Sequence, residues 1–126
     1  LIVRDGPSRI KSRVGNWDFP GGGLNWEESL DNGLEREIME ELGKVEIEVG
    51  EPMVVWDWIH KDKPDLRTVC VGYKAFWRGG TIKLSDEHDK YEWVNLGDLQ
   101  KYEWTKEDGE MVEKLPILLE RGCGCC

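Results

Sequence analysis

The sequence has no apolar run long enough to cross a membrane. Its longest apolar stretches, such as Met53 to Ile59, fall far short of the roughly 18 residues that a spanning helix needs, and Asp57 interrupts that one. A composition of 39% hydrophobic and 34% charged residues over 126 positions is typical of a globular protein. We therefore expect one domain over residues 1–126 that neither spans nor binds a membrane.

Positive charge is also scarce. Seventeen Lys and Arg stand against 26 Asp and Glu, which gives a formal net charge of −9. Such a chain repels phosphate backbones, so general nucleic-acid binding is disfavoured and a phosphorylated ligand would need a metal ion or local positive charge. One basic stretch, from Arg4 to Arg13, either steers a polyphosphate or is a solvated connection.

Cysteine is sparse and poorly placed for disulfides. Cys70 lies in a strand-like segment, and the other three crowd into the end of the chain, at Cys123, Cys125 and Cys126. This distribution does not make a disulfide framework and predicts a reducing, cytoplasmic location. A closed zinc site needs four ligands and no partner pair is visible, so we expect residues 122–126 to form a flexible tail.

Apolar periodicity predicts a mixture of helices and strands. The chain begins without Met on a strand-like run, and we expect upstream residues and an incomplete first strand. Further strands are predicted near 45–49, 52–60, 67–78, 81–84 and 91–94. Helices are predicted over 27–42, ended by Gly43, and over 107–121, broken or kinked by Pro116.

Three glutamates share one face of the first predicted helix. Glu37, Glu40 and Glu41 stand at i, i+3 and i+4 and so project within an arc of about 100°. Such a face is usually solvated, since like charges at this spacing cost only tenths of a kcal/mol. A glycine-rich loop nearby favours a cation site instead, and oxygen ligands without neighbouring His or Cys suit Mg²⁺ or Mn²⁺.

These residues resemble the Nudix box. Gly22, five residues, Glu28, seven residues and then Arg36 to Gly43 match the pattern G-x5-E-x7-R-E-U-x-E-E-x-G-U, where U is apolar, at all seven named letters and the first U. The lead-in from Trp17 to Gly23 is also similar to members of the family. Lys44 departs from the pattern, because it stands where the box ends in an apolar residue.

The resemblance implies a fold and a set of metal ligands. The expected fold is the Nudix-type α/β/α sandwich of the α/β class, with a mixed β-sheet between the box helix and the C-terminal helix. The expected ligands of the divalent ion are the carboxylates of Glu37, Glu40 and Glu41, with the backbone carbonyl of Gly21 as a further ligand.

The resemblance also implies roles for other charged residues. Arg36 would orient the glutamates, where the alternative is a surface ion pair worth under about 1 kcal/mol. Glu28 would support the loop, through Arg36, or complement the helix dipole. The proton acceptor would be Glu40 or Glu41, with Glu87 as the outside candidate.

The aromatic residues and the histidines are further candidates for a ligand site. Trp56 and Trp58 share a strand face by the two-residue period and either fill the core or form an aromatic wall for a nucleobase, with Tyr73 or Phe76 as rivals. The two histidines, His60 and His88, lack the paired spacing of zinc ligands, and we expect both at the surface.

By this resemblance the chain is expected to hydrolyse a nucleoside diphosphate linked to another moiety, using Mg²⁺ or Mn²⁺. A MutT-like nucleoside triphosphate pyrophosphohydrolase, releasing the monophosphate and pyrophosphate, is the first expectation. Hydrolysis of ADP-ribose or a dinucleoside polyphosphate is the second. The third is a catalytically silent domain that senses a nucleotide or binds a partner, which the retained glutamates disfavour. The expected partner is a small nucleotide, and a homodimer stays open.

Overall fold

The computed structural model describes residues 1–7, 14–60 and 62–123, with the backbone alone from 116 to 123. Residues 9, 11 and 13 of the basic stretch and residues 124–126 of the predicted tail lie outside this part of the chain. Its elements are β1 (Ile2–Asp5), β2 (Trp17–Asp18), α1 (Leu30–Leu42), β3 (Val45–Ile59), β4 (Arg67–Gly80), β5 (His88–Glu92), a 3₁₀ helix (Leu96–Lys101) and α2 (Lys106–Cys123).

Strand β1 separates two apolar clusters because its side chains alternate between faces. It is the middle strand of a sheet ordered β2-β1-β5. Ile2 packs on one face with Val112 of α2, and Val3 packs on the other with Ile38 and Leu42 of α1. The sheet therefore lies between the two helices, which confirms the α/β sandwich. All strand pairs over the described residues are antiparallel, where a mixed sheet was predicted.

Strands β3 and β4 form a long hairpin. The predicted strands 45–49 and 52–60 are one strand, in which the register shifts between Val49 and Pro52. This irregularity fits Pro52, which has no N–H to donate to the ladder. The His60 N–H donates to the Leu66 carbonyl at 3.0 Å where the two strands meet, and β3 and β4 pair as antiparallel neighbours.

The segment after β4 is not the predicted strand 81–84. Its backbone instead binds the end of α1, with Lys83 N–H donating to the Leu42 carbonyl at 2.8 Å and Ser85 N–H to the Glu41 carbonyl at 3.0 Å. Helix carbonyls at a C-terminus have no partner within the helix, and this segment satisfies two of them. These hydrogen bonds bring Glu87 and His88, which follow in the chain, towards the last turn of α1.

The ends of the helices follow local sequence signals. Ser29 caps α1, because its side chain accepts the Asn32 N–H at 3.2 Å, so the helix begins at Leu30 rather than at the predicted residue 27. Gly43, at φ 82°, ends it as predicted. Helix α2 continues through Pro116, which was predicted to break or kink it. No helix of the described residues has the length and apolarity that a membrane crossing requires.

Candidate active site

The glycine-rich loop before α1 lies against the last turns of that helix. The Gly21 N–H donates to Oε2 of Glu41 at 3.0 Å, and Gly21 has φ 153°, a conformation that favours glycine. An ideal Cβ added to Gly22 would lie 2.4 Å from the carboxyl carbon of Glu37. The two glycines thus let the loop backbone approach two of the three predicted carboxylates.

Arg36 joins this loop to the helix. Its Nη1 donates to Glu37 Oε1 at 3.0 Å and to both oxygens of Glu40 at 3.1 Å. Its Nη2 donates to Glu28 Oε1 at 2.7 Å and to the Gly23 carbonyl at 2.9 Å. Hydrogen bonds between a guanidinium and carboxylates are charge-assisted and directional, so Arg36 has the contacts that an orienting role requires.

Glu28 stands outside α1, in the loop that Arg36 holds. Besides Arg36, it accepts the Asn25 N–H at 2.7 Å. The Arg36 hydrogen bond, followed by that from Asn25, holds the pKa of Glu28 at about 2, and the same ion pair raises the pKa of Arg36. These contacts suit the loop-supporting role more than a helix-dipole role.

Glu41 is the buried carboxylate of the site, with only 6% of its surface exposed. Burial raises the pKa of Glu41 to about 8, and the negative charges of Glu37, Asp18 and Glu87 add to the increase, against the Gly21 hydrogen bond that lowers it. Its ionisation is opposed by its surroundings. A group of carboxylates around a buried glutamate fits a divalent cation, whose charge would offset both the cost of burial and the repulsion between the carboxylates.

The structure gathers Glu41 with Glu87 and His88. One ligand atom of each lies within 4.8 Å of the others, the only such group among the described residues. Glu37 and Glu40, the other two predicted ligands, are held by Arg36 instead. The prediction that His88 lies at the surface is wrong, because it is 7% exposed and its Nε2 lies 3.2 Å from Oδ1 of Asp5. His60 is half-buried beside Thr68.

A cleft of about 970 Å³ connects these carboxylates to the aromatic residues of the hairpin. Asp18, Glu37, Glu41 and Glu87 line one part of it. The four aromatic candidates also line it, namely Trp56, Trp58, Tyr73 and Phe76. Carboxylates and aromatic walls in one cleft suit a ligand that has both a phosphate chain and a base.

Trp56 is fixed in this cleft by helix α2. Its Nε1–H donates to Oδ1 of Asp108 at 3.1 Å, and Asp108 is only 4% exposed. A buried indole N–H with a carboxylate partner has a defined ring orientation. Trp56 therefore presents a fixed aromatic face rather than a mobile one.

Four predicted site residues do not line the cleft, namely Arg4, Glu28, Arg36 and Glu40. Nε and Nη2 of Arg4 donate to the Asp89 carboxylate, each at 2.8 Å. Glu40 has 59% of its side chain exposed and is paired with Arg36. Neither Arg4 nor Glu40 lines the cleft with Glu37, Glu41 and Glu87.

Sequence reasoning missed four buried or cleft-lining polar residues, which are Asp5, Asp18, His88 and Asp108. Asp18 had a signal, because it stands three positions before Gly21 in the lead-in that was compared with the family. His88 directly follows the candidate Glu87. Asp5 and Asp108 had none, because their partners are distant in sequence.

Comparisons with known proteins show what the chain as a whole is similar to. The model of the NUDIX domain matches residues 1–115. An RNA pyrophosphohydrolase of Saccharophagus degradans is 31% identical over 116 residues, covering 75% of this chain and 68% of that protein. One of Acinetobacter baylyi is 31% identical over 102 residues, covering 66% and 61%. The chain thus spans about two thirds of the length of these relatives.

A solved structure shows the same fold. The MutT protein from Methanosarcina mazei Go1 superposes with a TM-score of 0.75 at 26% sequence identity. The match covers 90% of this chain and 79% of that one. The overall arrangement of helices and strands in this chain is therefore also found in a solved structure.

Proposed function

Because this chain belongs to the NUDIX family, whose members compared above are pyrophosphohydrolases and a MutT protein, we propose that it hydrolyses a nucleoside diphosphate linked to another moiety. The proposed substrate is a nucleoside 5′-triphosphate, which water would split into the monophosphate and pyrophosphate. The observation that carries this proposal is buried Glu41, which shares one cleft with Glu87 and Trp56.

The chain offers ligands for the divalent ion that such a reaction needs. Glu41 and Glu87 would hold Mg²⁺ or Mn²⁺, with Glu37 and Gly21 lining the same cleft. When bound, the cation supplies neutralisation of phosphate charge and activation of water. Arg36 keeps Glu37 beside the loop by a 3.0 Å hydrogen bond, so the acidic wall is ordered before substrate arrives.

Among the predicted proton acceptors, the geometry favours Glu87. Glu40 does not line the cleft, and Oε2 of Glu41 accepts the Gly21 N–H. Glu87 is exposed on the cleft wall, so one of its oxygens can face a cation and the other a water molecule. We assign it the role of general base, which takes the proton of the attacking water.

The aromatic part of the cleft would take the base. Stacking on an aromatic face contributes about 1–3 kcal/mol per base and tolerates different bases. Trp56 and Trp58 share the face of β3 that lines the cleft. This arrangement supports a nucleotide substrate and leaves the identity of the base to be measured.

A 5′-triphosphorylated RNA is the second candidate, since the curated relatives are RNA pyrophosphohydrolases. The reacting group is the same triphosphate. The formal net charge of −9 opposes the rest of an RNA chain, which favours the free nucleotide.

The test is a substrate panel with product identification. The protein is incubated with Mg²⁺ or Mn²⁺ and with the four nucleoside triphosphates, their deoxy forms, ADP-ribose, dinucleoside polyphosphates and 5′-triphosphorylated RNA. Phosphorus NMR and chromatography identify the products, and Glu41→Gln is the inactive control. Monophosphate and pyrophosphate from a free triphosphate support the proposal. Nucleotide binding without turnover of any substrate would establish a silent binding domain instead.

A further inference from the structure

Asp5 and His88 form a buried pair beside the carboxylates of the cleft. Asp5 is 1% exposed and His88 is 7% exposed, and Oδ1 of Asp5 lies 3.2 Å from Nε2 of His88. The two residues are partners in the register of β1 with β5, where a bulge follows Arg4. Two polar side chains in a sheet interior are costly unless they satisfy each other or serve a ligand.

The backbone fixes this pair next to Glu87 and Glu41. The Gly6 N–H donates to the Glu87 carbonyl at 2.9 Å, so the residue after Asp5 binds the residue before His88. One ring nitrogen of His88 lies within 4.8 Å of a carboxylate oxygen of Glu41 and of Glu87. Two carboxylate oxygens and one imidazole nitrogen at this spacing are able to bind one cation.

The order of the groups matches a common feature of metal centres. A histidine ligand usually donates its second ring N–H to a carboxylate, which fixes the tautomer and the ring orientation. Nε2 of His88 faces Oδ1 of Asp5 at 3.2 Å, the distance of an ion pair, so Asp5 is placed to serve as that carboxylate for His88. Asp5 then stands as the outer carboxylate of a carboxylate–histidine–metal arrangement.

We propose that His88 is a direct nitrogen ligand of the divalent ion, together with Glu41 and Glu87, and that Asp5 orients it. The inference rests on the proposed function only in that Glu41 is a ligand, and it adds a nitrogen to a site that was expected to be all oxygen. Imidazole suits transition metals better than Mg²⁺. The site therefore prefers Mn²⁺ to Mg²⁺ by more than an all-oxygen site does.

The chain contains only two histidines, so the proposal has a clean spectroscopic test. The protein is labelled with ¹⁵N-histidine or left at natural abundance, loaded with one equivalent of Mn²⁺ without nucleotide, and measured by pulsed EPR. His60→Asn leaves His88 as the single histidine and is the matched control. We expect imidazole nitrogen coupling to Mn²⁺ in the wild type and in His60→Asn, and loss of that coupling in His88→Asn.

The affinity for Mn²⁺ provides a second measurement. His88→Asn and Asp5→Asn are expected to weaken Mn²⁺ binding by about 10–100-fold, as changes to a ligand or its outer carboxylate do, and to weaken Mg²⁺ binding less. His60→Asn should leave both affinities unchanged. If His88→Asn does not fold, the comparison of wild type with His60→Asn still decides the assignment.

The outcomes separate the two proposals. Bound Mn²⁺ without nitrogen coupling in the wild type overturns the His88 ligand and leaves the hydrolase proposal standing. Coupling that disappears in His60→Asn also overturns it. A wild type that binds no Mn²⁺ contradicts both.

Discussion

The carboxylate of Glu37 occupies the space that a side chain at Gly22 would need. An ideal Cβ at position 22 would lie 2.4 Å from both Cδ and Oε2 of Glu37, far inside contact distance. Glycine at this position is therefore required by a neighbouring side chain rather than by backbone conformation. The Glu37 carboxylate can keep its position beside the loop only when residue 22 has no side chain.

Gly22→Ala is expected to displace Glu37 with little effect on folding. The obstructing group is the end of a flexible side chain, which can rotate away from Cβ but then leaves its 3.0 Å hydrogen bond with Arg36. We expect kcat/KM for the best substrate to fall about a hundredfold, since misplacement by about 1 Å at an active site has that effect. Steady-state kinetics and a thermal melt provide the measurement.

Gly23→Ala is the matched control, because nothing lies within 4 Å of a Cβ at the next position. It should keep most of the wild-type kcat/KM. Equal activities of the two variants would contradict the role assigned to the fit between Gly22 and Glu37.

Arg36→Lys is expected to lower kcat/KM about a hundredfold while leaving the net charge unchanged. Lysine keeps one positive charge but cannot contact Glu28, Glu37, Glu40 and the Gly23 carbonyl together. The control is Arg78→Lys, which alters an exposed pair with Glu48 on the hairpin. If Arg36→Lys retains wild-type kcat/KM in the same assay, the guanidinium network does not order the site.

Local features of the sequence predicted the helix that carries the site. The periodicity of α1, its end at Gly43 and the shared face of the three glutamates depend on residues a few positions apart. The start of α1 was placed three residues too early. Helix-forming residues precede Leu30, but the side chain of Ser29, a local capping signal, sets the start of the helix.

Contacts between distant segments were beyond prediction. Glu87 and His88 reach Glu41 because the segment after β4 binds the end of α1 and β5 pairs with β1. Neither interaction leaves a periodic pattern in the sequence. The pairing of Glu37 and Glu40 with Arg36 also depends on contacts between separate segments, because Arg36 binds the loop where it returns to the helix.

Trp56→Ala is expected to raise KM by about tenfold or more with a smaller change in kcat, because stacking contributes about 1–3 kcal/mol per base. Trp56→Phe keeps an aromatic face and removes the hydrogen bond to Asp108, so it should raise KM less and destabilise the fold by about 1–3 kcal/mol. Trp26→Ala is the control, since Trp26 is fully exposed. Unchanged KM in Trp56→Ala would exclude Trp56 from the base site.

The raised pKa of Glu41 predicts a distinctive dependence of stability on pH. The pKa is about 8 in the folded protein, against an ordinary value of 4.5 for a glutamate, so folding favours the protonated form. The contribution of Glu41 to the stability of the metal-free protein should therefore be greatest below pH 4.5 and should be lost as pH rises towards 8. Thermal melts of the metal-free protein between pH 5 and 9 measure this loss.

Metal binding should reverse the effect, because a cation requires the ionised carboxylate. Below pH 8 the apparent affinity for Mg²⁺ or Mn²⁺ is expected to rise about tenfold per pH unit, with release of about one proton per ion. Calorimetric titrations in two buffers that differ in ionisation enthalpy count that proton.

Glu41→Gln should abolish both the affinity and the proton release, and should raise the melting temperature of the metal-free protein at pH 8 by several degrees. Glu46→Gln, at an exposed position of β3, should change neither. If Glu41→Gln and the wild type melt at the same temperature across this pH range, the protein does not oppose ionisation of Glu41. The argument that the site fits a cation would then lose its physical basis.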